Sequence, residues 1–159
     1  MAQRRIQIAV IGGGECSDHV RQLAEEVGAE IGRRGVILIC GGMGGVMDAA
    51  AFGARKTGGI TVGVLPTYDR RRASQSLDVA IPTGFGHGRN VIVAAAGDAV
   101  IALPGEHGTA SEIALAMTLG RRVIGLEAWA SYPGVIAAGS PREAVDTALR
   151  VAGDAVSQS

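Results

Sequence analysis

The sequence has few of the residues that mark disulfide-rich, metal-binding or lysine-dependent proteins. Its 159 residues include two cysteines, a single lysine and only 3% aromatic residues. Cys16 and Cys40 form no Cys-x-x-Cys pair, so neither a zinc cage nor a disulfide framework is predicted, and a reducing cytoplasm fits. The lysine, Lys56, lies inside a predicted helix, which argues against Schiff-base chemistry. No metal site is expected.

The sequence also lacks a net charge and a long apolar run. Its 15 Lys and Arg residues balance 15 Asp and Glu residues, and the basic cluster at residues 70–72 is too short to predict a nucleic-acid surface. Asp98 interrupts the longest apolar candidate, residues 91–103, so no membrane span is expected. Arg4 and Arg5 precede an apolar stretch without a cleavage site, which favours a first strand over a signal peptide. We expect one cytoplasmic domain over residues 1–159.

Short β-branched runs alternate with longer segments of helical periodicity. Most of the runs are apolar on both faces, which is typical of parallel strands covered by helices on each side. The pattern therefore predicts an α/β protein with three layers, in which helices cover both faces of a mainly parallel sheet. The predicted strands are residues 6–11, 36–40, 60–65, 78–81, 99–103 and 122–126, and the predicted helices are residues 18–34, 47–57, 89–96, 109–119 and 141–152, followed by a frayed tail.

Glycine is abundant, at 25 of 159 residues, and clusters directly after three predicted strands. The clusters are residues 12–14, 41–45 and 105–108, and each stands immediately before a helix. Strand-to-helix turns of a parallel sheet share its carboxyl edge, where small residues and helix N-termini can hold a phosphate. The alternative is that these turns use glycine only for its positive φ. The polar connection at residues 67–76 is a candidate lid.

Several familiar nucleotide and hydrolase motifs are absent from the sequence. No glycine set matches G-x-G-x-x-G, because Ser17 and Met47 stand where the last glycine would be. Lys56 is not preceded by glycine as in a P-loop, and there is no G-x-S-x-G elbow or H-E-x-x-H helix. An ordinary NAD site, a P-loop, a serine hydrolase and a zinc peptidase are therefore not predicted.

Four segments carry a resemblance to a known superfamily. They are residues 41–47 (GGMGGVM), 58–66 (GGITVGVLP), 83–90 (TGFGHGRN) and 103–112 (LPGEHGTASE). In order and spacing they resemble the Rossmann-like Lonely-guy (LOG) superfamily, formerly labelled possible lysine decarboxylases, and most closely its branch of molybdenum-cofactor carrier proteins. The resemblance covers roughly residues 6–126.

The resemblance implies a phosphorylated ligand at the glycine turns and, in the LOG enzymes, hydrolysis of a nucleoside 5′-monophosphate to free base and ribose 5-phosphate. Those enzymes carry a P-G-G-x-G-T-x-x-E motif and an upstream arginine followed by lysine. Glu112 and Arg89 match the glutamate and the arginine, so the resemblance implies catalytic roles for them. Asn90 replaces the lysine, as in the carrier branch, and Glu106 replaces the second glycine.

The same residues have plainer interpretations. Residues 109–112 (TASE) match a capping box, in which Glu112 would only bind N–H groups of its own helix, and Arg89 would then be a surface charge. If both act on a ligand, Arg89 would hold it and keep Glu112 ionised, and Glu112 would stabilise an oxocarbenium-like carbon. His87 and His107 lie on loops at the same edge and are secondary candidates.

The predicted function is that of a binding or carrier protein for a phosphorylated nucleotide-like or pterin-type ligand, with a nucleoside 5′-monophosphate phosphoribohydrolase as the alternative. No cofactor is required, and the bound molecule would be a nucleotide or a molybdopterin-type ligand. Its phosphate is expected against the N–H groups of residues 105–109. The resemblance and the apolar residues within 113–119 predict a homodimer or higher homo-oligomer. The predicted ligand-binding residues are Gly12, Gly13, Gly41, Gly42, Gly44, Gly45, Asn90, Pro104, Gly105, Gly108 and Thr109.

Overall fold

Parallel strands alternate with helices along the computed structural model, which describes residues 4–157. Within that range there are seven strands, five helices and three short 3-10 turns. The strands are β1 (Gln7–Ile11), β2 (Ile37–Cys40), β3 (Ile60–Leu65), β4 (Val79–Pro82), β5 (Ala99–Ala102), β6 (Val123–Gly125) and β7 (Ile136–Ala137). The helices are α1 (Asp18–Arg33), α2 (Val46–Lys56), α3 (Arg89–Ala96), α4 (His107–Thr118) and α5 (Pro141–Ser157).

The strands form one parallel sheet in the order β4-β3-β2-β1-β5-β6-β7. β1 pairs with β2 on one side and with β5 on the other, so the chain builds outward from β1 in two directions. The crevice at the carboxyl ends of β1 and β5 is a topological switch point, where open α/β sheets bind ligands. The predicted three-layer α/β fold with a parallel sheet is confirmed.

Side chains that alternate along each strand divide the core into two layers. In β1, Ile8 and Val10 pack on the side of α1, α2 and α5, whereas Ala9 and Ile11 pack on the side of α3 and α4. All four are at most 1% exposed. Burial on both faces is the reason that these strands consist of continuous apolar runs.

Two helical glycines let α1 and α2 pack backbone against backbone. A Cβ on Gly28 would lie 1.9 Å from the Ala50 carbonyl oxygen, and a Cβ on Gly53 would lie 2.0 Å from the Glu25 carbonyl oxygen. A side chain at either position would have to push the two helices apart. Part of the glycine excess therefore serves helix packing and not the turns.

Most predicted bounds lie within one residue of those observed, and larger differences occur at α4, α5 and β7. α4 begins at His107 instead of residue 109, because Glu106 is its N-cap. α5 continues to Ser157 instead of ending at residue 152. The sequence does not predict β7, since its two residues are too few to show a period. No helix described within residues 4–157 has both the length and the apolarity to cross a membrane.

The predicted lid, residues 67–76, is tied to the second glycine turn. It contains the 3-10 turn Arg70–Arg72. The Ser74 N–H donates to the Gly42 carbonyl over 2.8 Å, and Ser74 Oγ donates to Asp48 Oδ1 over 2.5 Å. These bonds fix the carboxyl-terminal half of the segment, and its role as a lid stays a prediction.

Candidate functional site

A cavity of about 400 Å³ opens at the carboxyl ends of β1, β2 and β5. This volume is typical of small-molecule sites. All three glycine turns contribute to its wall, so the prediction that they share one edge is confirmed. The lining residues are Val10, Ile11, Gly12, Gly13, Gly14, Glu15, Gly41, Met47, His87, Arg89, Asn90, Gly105, Glu106, Gly108, Thr109 and Glu112.

Backbone hydrogen bonds join the three turns. The Gly13 N–H donates to the Pro104 carbonyl, and the Val46 N–H donates to the Gly13 carbonyl, each over 3.0 Å. A Cβ on Gly105 would lie 2.1 Å from Thr109 Oγ1 and 2.8 Å from the Gly13 nitrogen. The first turn is therefore hydrogen-bonded and closely packed between the other two.

Four of the predicted ligand-binding residues, Gly42, Gly44, Gly45 and Pro104, do not line the cavity. Gly42 and Gly45 have φ values of +75° and +63°, and a Cβ on Gly45 would lie 2.3 Å from the Gly13 carbonyl oxygen. The carbonyl of Pro104 is taken by the Gly13 N–H. For Gly42 and Gly45 the plainer interpretation, glycine for turn shape, therefore accounts for the residue.

The helices that begin beside the cavity lack side-chain caps. α2, α3 and α4 start after Gly45, Gly88 and Glu106, and none of these three residues makes a capping bond with a side chain. At the start of α1, by contrast, Ser17 Oγ accepts the Val20 N–H. A helix start without a side-chain cap attracts anions through the helix dipole and through those first-turn N–H groups that have no other partner.

Glu112 is a buried carboxyl that faces the cavity and does not cap α4. Because Glu106 is the N-cap, Glu112 lies beyond the first turn, and the capping-box interpretation of residues 109–112 is wrong. Its residue is 7% exposed. Burial raises the pKa of this carboxyl from 4.5 to about 7, and the positive charge of Arg89 opposes that rise.

Arg89 is a buried cation and not a surface charge, since it is only 9% exposed. A Cβ on Gly41 would lie 2.7 Å from Arg89 Nη2, so the glycine gives the guanidinium its space. Nη2 lies 3.5 Å from the Gly41 carbonyl, and Nε has no hydrogen-bond partner within residues 4–157. Burial lowers the pKa of Arg89, and Glu112 opposes this. A buried guanidinium without an ion pair among the described residues is suited to an anionic ligand.

Asn90 joins Arg89 to the first turns of α4. Arg89 Nη1 donates to Asn90 Oδ1, and Asn90 Nδ2 donates to Ser111 Oγ over 3.2 Å. Ser111 Oγ in turn donates to the Gly108 carbonyl over 2.7 Å. Asn90 is 4% exposed and lines the cavity, and its amide is engaged by these protein partners.

The cavity wall includes Glu15, which no sequence motif singles out, and Met47, the last residue of the segment 41–47. Glu15 directly follows the first glycine turn, and that position is the signal by which it could have been found. His87 also lines the cavity, whereas His107 does not. Glu15, Glu106 and Glu112 are the acidic residues of the wall, and Arg89 is its arginine. An anion in the cavity would therefore be attracted by Arg89 and by the helix dipoles.

Other candidate chemistry is remote from the cavity or unreactive. In the described part of the chain, no group of three or more His, Cys, Asp or Glu residues is placed to hold a metal ion. Both cysteines are free, and burial raises the pKa of the Cys40 thiol to about 12, which keeps it unreactive. Lys56 pairs with Glu25 over 3.2 Å on the protein surface.

The fold and the cavity together define a Rossmann-like α/β protein with a cavity of small-molecule size at its switch point. The chain belongs to the SLOG cluster4 family, whose sequence model matches residues 5–152. This match, together with the similar enzyme and the similar structure described next, confirms the resemblance to the LOG superfamily and its carrier-like branch.

The chain is similar to three proteins of known sequence or structure. It is 42% identical over 141 residues to an uncharacterized protein of Archaeoglobus fulgidus, and the matched region covers 89% of this chain and 93% of the relative. It is 38% identical over 124 residues to a cytokinin riboside 5′-monophosphate phosphoribohydrolase of Mycobacterium tuberculosis, covering 72% of this chain and 66% of that enzyme. The structure of the molybdenum cofactor binding protein from the phototrophic bacterium Rippkaea orientalis superposes with a TM-score of 0.88 at 34% identity, covering 94% of this chain and 99% of that one.

Proposed function

We propose that this protein binds a phosphorylated nucleotide-like or pterin-type ligand in the cavity and acts as a binding or carrier protein. The observation that carries this proposal is Arg89, whose buried guanidinium lines the cavity with an Nε that lacks a partner within residues 4–157. A buried cation of this kind is stabilised by an anion that enters the cavity. The phosphate would lie against the N–H groups of residues 105–109, at the uncapped start of α4.

Gly108 supports the same placement of the phosphate. It lines the cavity in the first turn of α4, its φ is not left-handed, and, apart from its chain neighbours and its own helix backbone, no described atom lies within 4 Å of where its Cβ would be. Packing within the protein therefore does not require glycine at this position. A ligand that approaches the helix backbone closely does require it.

Three features favour binding over turnover. With a pKa of about 7, Glu112 is substantially protonated at neutral pH, and a neutral acid stabilises a cationic transition state poorly. Asn90 stands where the LOG enzymes have lysine. Glu106 adds a carboxylate to the cavity wall where they have glycine.

Calorimetric titration with adenosine 5′-monophosphate (AMP) tests the proposal, with adenosine as the matched ligand without phosphate. We expect AMP to bind about tenfold or more tightly than adenosine, because charge-assisted hydrogen bonds to Arg89 depend on the phosphate. Native mass spectrometry of the purified protein would identify a retained ligand. If AMP, ribose 5-phosphate and a phosphorylated pterin all fail to bind, the proposal is wrong.

A phosphoribohydrolase is the second candidate, and the common placement of Glu112 and Arg89 in one cavity favours it. Arg89 would hold the phosphate while the ionised Glu112 stabilises positive charge at the ribose C1′. Chromatographic detection of adenine separates the two functions. A carrier releases no adenine from AMP over hours, whereas a hydrolase releases it and loses this activity in Glu112→Gln with AMP binding nearly intact.

Self-association is part of the proposal, and the face of α3 and α4 is its proposed interface. The exposed residues of these two helices include no Asp, Glu, Lys or Arg, and next to them β4 leaves Val79 and Ile81 each 46% exposed. We expect small-angle scattering to show a dimer at micromolar concentration, and Ile81→Glu to yield monomers. Phe52→Glu on α2, where the parent side chain is similarly exposed at 45%, is the control that stays dimeric. A wild-type monomer at this concentration would contradict the proposed interface.

A further inference from the structure

Within residues 4–157, Asn90 is the side chain whose oxygen accepts a hydrogen bond from the Arg89 guanidinium, through Nη1. Nη2 has two weaker contacts, with the Gly41 carbonyl at 3.5 Å and with Met47 Sδ at 4.0 Å. The direction in which Arg89 presents its free N–H groups therefore depends on how the Asn90 amide is turned.

An asparagine amide can be turned in two ways, and Ser111 selects one of them. The Ser111 hydroxyl has a single hydrogen, which it donates to the Gly108 carbonyl, so toward Asn90 it can only accept. It accepts from Asn90 Nδ2 over 3.2 Å. This directs Nδ2 toward Ser111 and leaves Oδ1 to face the guanidinium.

We infer that Ser111 is a positioning residue for the ligand site, which acts on the bound anion through Asn90 and Arg89. The inference rests on the proposed function, because it assumes that Arg89 binds the phosphate. Ser111 itself does not line the cavity. The series of hydrogen bonds from Gly108 through Ser111 and Asn90 to Arg89 also connects the start of α4 with the arginine. We therefore expect it to hold the two elements proposed to bind the phosphate at a fixed separation.

Asn90 suits this relay because it has both an acceptor and a donor on one short side chain. A lysine at the same position has no acceptor for Arg89, and its charge would repel the guanidinium. The departure from the enzyme motif at this position therefore creates the contact that orients Arg89.

Removal of the Ser111 hydroxyl tests the inference by AMP titration. Ser111→Ala is expected to weaken AMP binding roughly threefold to tenfold, which is the range for loss of one hydrogen bond, and Ser111→Thr is expected to restore it because the hydroxyl is kept. Thr118→Ala is the matched control, since Thr118 Oγ1 donates over 2.8 Å to the Ala114 carbonyl on the same helix and has no link to Arg89. It should leave AMP binding unchanged.

A double-mutant cycle with Asn90→Ala separates a relay from direct contact. If Ser111 acts through Asn90, Ser111→Ala has no further effect on AMP binding in the Asn90→Ala background. Equal losses in both backgrounds would overturn the inference, and so would Ser111→Ala that binds AMP like the wild type. Failure of the wild type to bind any phosphorylated probe would instead reject the proposed function on which the inference rests.

Discussion

A carboxylate and an arginine lie at the amino ends of the strands (the amino edge), and another such pair lies at their carboxyl ends (the carboxyl edge). The two pairs differ in the hydrogen bonds that they make. At the amino edge, Asp98 accepts hydrogen bonds from both terminal nitrogens of Arg4, at 3.1 and 2.7 Å, and from the Gln7 N–H at 2.9 Å. At the carboxyl edge, Glu112 and Arg89 are both buried without an ion pair between them in the described residues. At the amino edge the carboxylate has protein partners, whereas at the carboxyl edge both groups line a cavity, where we propose that a ligand binds.

The pKa values follow the same division. Burial by itself would raise the pKa of Asp98, but the hydrogen bonds from Arg4 and the Gln7 N–H outweigh it and hold the pKa below its usual value. Burial dominates at Glu112, where the Arg89 charge only partly opposes the rise. Burial alone therefore does not identify a functional group in this protein. A buried group that lacks partners and faces a cavity is the better indicator.

The largest expected difference concerns stability against pH at Glu112. A carboxyl whose pKa rises from 4.5 unfolded to about 7 folded stabilises the fold fully below pH 4.5, and this contribution is lost as pH rises to 7. Relative to the wild type, Glu112→Gln should therefore gain roughly 3 kcal/mol in unfolding free energy between pH 4.5 and pH 8. Urea unfolding of both proteins at the two pH values measures it. Parallel pH profiles would show that Glu112 is not buried as described.

A smaller change in unfolding free energy, a loss instead of a gain, is expected when Asp98 is replaced. Asp98→Ala leaves the Gln7 N–H without its acceptor and should reduce the unfolding free energy by about 2 kcal/mol, with AMP binding unchanged. Asp69→Ala is the control, because Asp69 pairs with Arg71 in the same way but on the surface, where ion pairs contribute little. The contrast between the edges fails if Asp98→Ala weakens AMP binding as strongly as it lowers stability.

The smallest expected change in unfolding free energy comes from replacing either of two helical glycines that have open space around them. Apart from chain neighbours and the local helix backbone, no described atom lies within 4 Å of a Cβ position at Gly108 in α4 or at Gly153 in α5. Gly153→Ala should add up to about 1 kcal/mol to the unfolding free energy, through helix propensity, and leave AMP binding unchanged. Gly108→Ala should not destabilise the fold, yet its methyl group would occupy the cavity and weaken AMP binding. Unfolding and titration of both variants measure this, and unaltered AMP binding by Gly108→Ala would place the phosphate elsewhere.

The local pattern of the sequence was sufficient for the parallel sheet and for the glycine turns at its carboxyl edge. Strands buried on both faces must be apolar at every position, so β1 and β5 are recognisable without any knowledge of their neighbours. Glu112 and Arg89 came from the resemblance, and the sequence left a capping role for Glu112 open. Only the three-dimensional position of Glu106 at the start of α4 decided against the capping role.

What the tertiary structure decided depends on residues that are distant in the sequence. Gly41 gives space to Arg89, 48 residues later, and the Asn90 amide is oriented by Ser111, 21 residues later. Neither contact leaves a periodic signal, because the first joins the turn after β2 to α3 and the second joins α3 to α4. Hydrophobic periodicity determines which segments become buried strands and helices, since it acts within a segment. The partners of each buried polar group are fixed by the strand order, which brings separate turns to one edge.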